Sequence, residues 1–429
     1  MLDRTSPPPI HSASFAFRKP AERTLRNGLP VSIIEAPGLG AVRIDFVFAA
    51  GQWQQACKLQ ALFANRMLRE GCRGYSAKEF AERLDYYGAW LDLSVSMNRS
   101  FVTLYTLKKH FADTMELVQR MLIEPTYCEK QFSTVCANNK AQHLVNLQKG
   151  DVIAMRALRR SLYGDTHPCG GTQVYPEDYD TLQLTDLVDF YHRHYSSRTC
   201  RIYISGDVDD VLLAQVDTLF GNDEWGVFRE NSVKEERLHP DDNNAHPSSL
   251  SFQLEGAAQD SIRMGTLLMD INNPDYLSMR VLTTVLGGYF GSRLMKNIRE
   301  EKGYTYHIGS DLITNTSEIM FLIHCEAQAG KSGEVIDEIH REMLRLQTEP
   351  ISDEELHMVR NYMIGEICRN YEGAFALADA YIFMDQLGLP HTHLEQIVEA
   401  TNTTNATRLQ QLAQQYLRPE NLHSVVVHP

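Results

Sequence analysis

The sequence contains no run of the roughly 18 or more uncharged apolar residues that a membrane helix requires, so no membrane partner is expected. Near its start, Pro7-Pro8-Pro9 and scattered Ser and His residues stand where a secretory leader would place a basic patch and an apolar stretch. Both absences point to a soluble, cytoplasmic protein. A C-x-x-C pair is also missing. The eight cysteines (Cys57, Cys72, Cys128, Cys136, Cys169, Cys200, Cys325, Cys368) are scattered, the pattern of reduced, mostly structural thiols rather than of a disulfide framework or a structural zinc site. Net positive charge is lacking too: the formal net charge of −14 argues against nucleic acid, whose phosphates need clustered Lys and Arg. That acidity leaves two readings, a solvated surface or a chamber suited to basic peptides. G-x-x-x-x-G-K-[ST] is absent, so Gly287-Gly288-Tyr289-Phe290-Gly291 is not a phosphate loop; close packing of a helix start, with flexibility near a cleft, accounts for it.

What the sequence does hold is ordinary globular composition, 43% hydrophobic and 22% charged, enough for a sizeable core. At 429 residues the chain is long for one core, and a repeat explains its length. A helix ends near Gly88, paired strands follow over Ala89 to Leu107, then an amphipathic helix over Met115 to Ile123, then Glu124-Pro125 and a helix from Glu129. Beyond Gly303 the order returns, with strands from Tyr304 to Ala327, a helix from Gly333 to Leu346, Glu349-Pro350, and a helix from Asp353. Between the copies the chain turns polar and rich in Pro, Asp and Asn. The expected organisation is α+β: an N-terminal domain over 1–228, a linker over 229–249 and a C-terminal domain over 250–429, each a sheet covered by helices, with a cleft between them. His239 and His246, in the linker, are expected at the surface.

Four segments carry a family likeness: Leu25-Arg26-Asn27-Gly28-Leu29-Pro30-Val31, Gly74-Tyr75-Ser76-Ala77-Lys78-Glu79-Phe80, Ile204-Ser205-Gly206-Asp207, and Leu286-Gly287-Gly288-Tyr289-Phe290-Gly291-Ser292-Arg293-Leu294, the last continuing through Ile298-Arg299-Glu300-Glu301-Lys302-Gly303-Tyr304-Thr305-Tyr306. In this order and together the chain resembles the pitrilysin/insulinase family of zinc peptidases, in particular its short, processing-peptidase-like subunits. The resemblance implies two duplicated α/β rolls forming one half of a clamshell, with a homologous, zinc-bearing partner subunit supplying the other half and peptides as substrates. Without that partner the chain could pair with itself as a homodimer.

Active members of the family carry H-x-x-E-H on a helix, where two histidines one turn apart grip zinc and the glutamate serves as general base. Aligned through Met67-Leu68-Arg69-Glu70-Gly71, the motif falls on Leu62-Phe63-Ala64-Asn65-Arg66. Leu62 cannot ligate, Asn65 is neutral and a poor base, and Arg66 puts a fixed positive charge where a dication would sit. The third ligand, a glutamate in the family, should fall within Lys140 to Lys149, a stretch with no acid, where Gln142 or His143 lies nearest; that histidine reads as a helix-surface residue. The helix around residue 64 is thus expected to face a chamber with nothing able to hold zinc. No metal or cofactor is expected in this chain. His391-Thr392-His393-Leu394-Glu395 opens a helix, and the neighbours of His324-Cys325-Glu326 point to opposite faces of a strand, so neither forms a ligand set.

The resemblance also implies an arginine and a tyrosine that approach substrate from the second half, here Arg299 and Tyr306, both able to donate hydrogen bonds to a developing oxyanion. A surface ion pair for Arg299 and a packed ring for Tyr306 are the plainer alternatives. Family substrates add as a strand to a sheet edge, and Leu91 to Val95 is a candidate edge by analogy. Three functions follow: a zinc-free subunit completing a partner's peptidase site, a non-catalytic scaffold or peptide-binding clamshell, or an autonomous hydrolase with rearranged ligands.

Overall fold

The computed structural model describes residues 16–165, 167–170, 173–226, 248–314 and 318–429. The early proline segment and most of the linker, with His239 and His246, lie outside these residues.

The first half supplies strands β1 (Ala21–Thr24), β2 (Pro30–Glu35), β3 (Ala41–Phe48), short β4 (Gly71–Cys72) and β5 (Tyr75–Ser76), β6 (Trp90–Val95), β7 (Ser100–Leu107) and β8 (Cys200–Gly206). Its helices are α1 (Gln60–Arg66), α2 (Ala77–Tyr86), α3 (Phe111–Ile123), α4 (Glu129–Asn146), α5 (Gly150–Tyr163), α6 (Asp178–Thr181), α7 (Leu184–His194) and α8 (Asp210–Phe220). The second half supplies β9 (Ser249–Gln253), β10 (Gln259–Asp270), α9 (Tyr276–Gly287), β11 (Thr305–Thr314), β12 (Glu318–Gln328), α10 (Ser332–Thr348), α11 (Asp353–Asn370), α12 (Gly373–Leu387), α13 (His393–Thr403), α14 (Ala406–Tyr416) and β13 (His423–His428).

Local chemistry places several of these boundaries. Ser76 caps α2 while Glu79 reaches back to the Ser76 backbone N–H at 2.9 Å, a reciprocal capping box. Past the end of α2, Gly88 takes a φ of +61°, which turns the chain into β6 without a Cβ clash. Ser352 caps α11 through the Glu355 N–H, directly after the helix-ending Glu349-Pro350.

The sheets explain the repeat. The large first sheet runs β1-β2-β8-β3-β7-β6 and the second runs β11-β12-β10-β13-β9. In each, the first strand of the copy lies parallel to the last (β2 with β8, β9 with β13), and the last pairs antiparallel with the second (β8 with β3, β13 with β10). Antiparallel pairs β3/β7/β6 and β10/β12/β11 complete the match. Thus β6 corresponds to β11, α1 to α9, α4 to α11 and α5 to α12. In the first half, Phe46, Phe48, Phe63, Met115, Val118 and Phe190 pack between sheet and helices; in the second, Ile323, Cys325, Val335, Ile339 and Leu409 do the same.

One feature was not expected from the repeat. The opposite face of each sheet is covered by a helix from the other half. Leu158 and Leu162 of α5 pack on Leu322, Val425 and Val427 of the second sheet, while Ala378 and Tyr381 of α12 cover Ile34 of the first and Ile382 covers Val47 and Tyr203. Strands apolar on both faces require this double cover. Polar contacts fix the exchange: Arg43 bridges Asp45 at 2.9 Å and Asp379 of α12 at 2.5 Å, and the Tyr203 hydroxyl donates to Asp385. Burial raises the Asp45 carboxyl above its ordinary pKa, against the opposing pull of Arg43 and the Thr103 hydroxyl.

Candidate functional site

Helix α1 carries the positions of the degenerate zinc motif. Leu62 and Arg66, one turn apart, share its half-buried face, whereas Ala61, Phe63, Ala64 and Asn65 are buried. Asn65 is turned away from any open chamber. Its side-chain N–H₂ donates to the Phe101 carbonyl at 3.2 Å and to the Tyr195 hydroxyl at 3.0 Å, tying α1 to β7 and to the end of α7. The expectation that the helix around residue 64 faces a chamber does not extend to Asn65, which fills the core seam instead; Leu62 and Arg66 are half-buried. Burial, then the like charge of Arg69, lowers the Arg66 pKa, and Tyr179 opposes them.

His143 on α4 is not the surface residue its polar surroundings suggested. Its ring lies 5.7 Å from that of Tyr179, and its Nε2 is buried with no partner among the described residues. Burial first, then the charge of Arg156, lowers the pKa of its imidazole, and a hydrogen bond with the Val174 backbone and the charge of Asp178 oppose them. Gln142 is exposed, its amide near Asn146. Tyr179 lies against His143, and of the ligand positions the motif would use, Leu62 and Arg66 offer no ligating atom, so only the third, at Gln142 or His143, could supply one. Leu62 has no lone pair, Asn65 is committed to the core, and Arg66 repels a cation. These residues do not fit zinc. Among the described residues no group of three or more His, Cys, Asp or Glu side chains stands close enough to hold a metal ion. His324 instead pairs with Asp311 at 3.0 Å while Cys325 faces the core; His391 pairs with Asp385 at 2.8 Å, and His393 stacks on Tyr276.

Arg299 and Tyr306 stand on the other sheet. Arg299 belongs to a π-helical turn, Met295–Glu301, anchored from beneath by buried Ile298 and by Asn297, whose amide donates to Glu338 at 3.1 Å and Glu342 at 2.7 Å. Its guanidinium lies 4.4 Å from the centroid of the Phe290 ring. The pairing of β11 with β12 slips between Thr305 and Ile308, and the Thr305 hydroxyl holds this bulge by donating to the Glu326 carbonyl at 2.6 Å. The bulge leaves Tyr306 85% exposed, so its ring packs no core. Burial, then His324, lowers the pKa of the neighbouring His307, Asp311 opposes them and Arg299 adds to the lowering; the turn that carries Arg299 packs against β11. Neither the π turn nor the bulge had a readable signal in the sequence.

Strand β6 is the outer strand of the first sheet, its far edge unpaired by any described strand. Leu91, Leu93 and Val95 turn inward to the first core, and Trp90, Asp92 and Ser94 point outward.

Comparison with known proteins fits this geometry. Residues 181–363 match the family described as peptidase M16 inactive domain. The chain has the M16 peptidase fold and resembles that family's inactive members. Among solved structures, the peptidase M16 inactive domain from Pseudomonas fluorescens superposes with a TM-score of 0.82 at 21% identity, covering 96% of this chain and 98% of that one. A protease from Helicobacter pylori gives 0.85 at 16% identity, covering 96% and 100%. In sequence, an uncharacterized zinc protease, YmxG, of Bacillus subtilis is 22% identical over 91% of this chain and 94% of its own length. A Helicobacter pylori protein described as a non-peptidase homolog is 23% identical over 77% and 75%. No helix among the described residues of this M16-like chain is long and apolar enough to cross a membrane.

Proposed function

We propose that this chain is the zinc-free subunit of a two-chain peptidase whose zinc lies in a homologous partner. The observation that carries the reading is Tyr306, which a bulge holds 85% exposed on β11, the strand against which the turn carrying Arg299 packs. In a closed assembly, zinc would supply Lewis-acid chemistry from the partner's own residues. Arg299 and Tyr306 would donate hydrogen bonds to the peptide carbonyl oxygen as it gains charge, and exclusion of water would strengthen both donors. The unpaired edge of β6 would accept a peptide as an added strand, backbone N–H and C=O groups giving affinity and alternate side chains giving selectivity. Eight unpaired cysteines suit a reducing compartment such as the cytoplasm.

Reconstitution tests this. The isolated chain should bind no stoichiometric zinc and cleave no peptide, whether monomer or homodimer. Adding a zinc-bearing homologue should restore cleavage, and Arg299→Ala should lower kcat in the complex by roughly 10²–10³. Full activity of both Arg299→Ala and Tyr306→Phe complexes would remove the catalytic assignment. A second reading, a non-catalytic scaffold or peptide-binding clamshell, draws support from the Helicobacter pylori relative described as a non-peptidase homolog. Purification of a stable complex in which no chain carries H-x-x-E-H would favour it.

A further inference from the structure

The second half contains a cavity of about 620 Å³ walled by α9, β11, the end of α11 and α12. These are the counterparts of α1, β6, α4 and α5, of which α1 and α4 carry the positions of the degenerate zinc motif. We propose that this cavity binds a carboxylate, held by Arg280 and Thr283 of α9.

Two helical threonines sit side by side there and behave differently. The Thr284 hydroxyl donates at 2.9 Å to the Arg280 carbonyl one turn back, as helical threonines commonly do. Thr283, only 4% exposed, makes no such bond, and its Oγ1 is buried without a partner among the described residues. A buried hydroxyl left unsatisfied is costly, and a ligand that accepts its proton removes that cost. Arg280 lines the same cavity half-buried, with no carboxylate in ion-pair contact among the described residues. Two acids also line it, but Asp379 bonds Arg43 at 2.5 Å and Asp311 bonds His324 at 3.0 Å, and neither is in ion-pair contact with Arg280. A guanidinium beside a free hydroxyl donor matches a carboxylate, and the volume suits a small ligand or the end of a peptide. This site needs no partner chain, so it stands or falls separately from the two-chain peptidase.

The test is calorimetric titration of the full chain with trialanine, trialanine amide and free alanine. The acid should bind and the amide should bind roughly 10- to 100-fold more weakly, the usual worth of a charged hydrogen bond. Arg280→Gln and Thr283→Val should each weaken trialanine binding, while Thr283→Val keeps or raises the urea midpoint because it removes an unsatisfied hydroxyl. Tighter binding of trialanine than of alanine identifies a peptide end as the occupant; equal binding identifies a free small acid. Equal affinity for acid and amide, no binding by either acid, or an unaffected Arg280→Gln variant would overturn the proposal.

Discussion

The two halves share one strand order and one helix order, yet they treat the same structural place in opposite ways. In the first, α1 turns its polar residue inward, where Asn65 is bonded to Phe101 and Tyr195, and shows outward only Leu62 and Arg66. In the second, α9 keeps a buried hydroxyl with no partner among the described residues beside an open cavity, and the strand equivalent to β6 opens with a bulge that sets Tyr306 in solvent. Duplication preserved what the cores require, which is apolar periodicity and strand register. It left free what a site requires, since a single side chain at a half-buried position changes chemistry without changing the sheet.

The sharpest way to break this comparison is to ask whether the halves are energetically separate. Leu158→Ala empties fully buried volume where α5 of the first half covers the second sheet, so unfolding free energy should fall by about 3 kcal/mol. All three tryptophans, Trp53, Trp90 and Trp225, lie in the first half. Tryptophan fluorescence and circular dichroism should therefore shift together in urea; a shift in circular dichroism alone would show two independent halves.

A pH effect should come next, and from the first half. Burial, aided by Arg193, holds His194 at about 4 against an ordinary 6.5. A folded pKa below the unfolded one means the unfolded chain binds the extra proton. The stabilisation is complete above pH 6.5, declines as the pH falls towards 4, and amounts to roughly 2–3 kcal/mol. Urea midpoints measured across that window should slope, and His194→Gln should flatten them.

Asn65→Ala against Thr283→Val sharpens the contrast between a buried side chain whose donor is paired and one whose donor has no partner among the described residues. The first should cost about 1–2 kcal/mol by leaving the Tyr195 hydroxyl and the Phe101 carbonyl without their donor. The second should cost about nothing. Similar losses from both would mean the Thr283 hydroxyl has a partner after all. Smallest of all, Tyr306→Phe should move the melting midpoint of the isolated chain only within the scatter of surface substitutions, about 0.5 kcal/mol either way. A larger loss would give Tyr306 a structural role and weaken its assignment to catalysis.

Apolar periodicity, the capping residues at Ser76 and Ser352, and the repeated Glu-Pro helix stops were enough to read the duplicated α+β plan, because each depends on a few neighbouring residues. Loss of the zinc ligands was equally readable, since Leu62 and Arg66 cannot ligate in any fold. In sequence the glycine pair Gly287-Gly288 suits a helix start, but it ends α9: a Cβ on Gly287 would sit 2.6 Å from the Ser310 backbone nitrogen, a contact made by β11 from 23 positions away. Polar helical neighbours mark His143 as a helix-surface residue, yet Tyr179, brought over by α6, packs against it and leaves it half-buried.

Sequence alone determined which residues can bind a metal, where the elements lie and that they recur, because composition and local pattern suffice for these. Only the tertiary structure decided that α5 and α12 change sheets, that Asn65 turns inward, that Tyr306 rides on a bulge and that Arg280 and Thr283 share a cavity. Each of these depends on contacts between segments far apart in the chain, and no local pattern encodes which distant surface a side chain will meet.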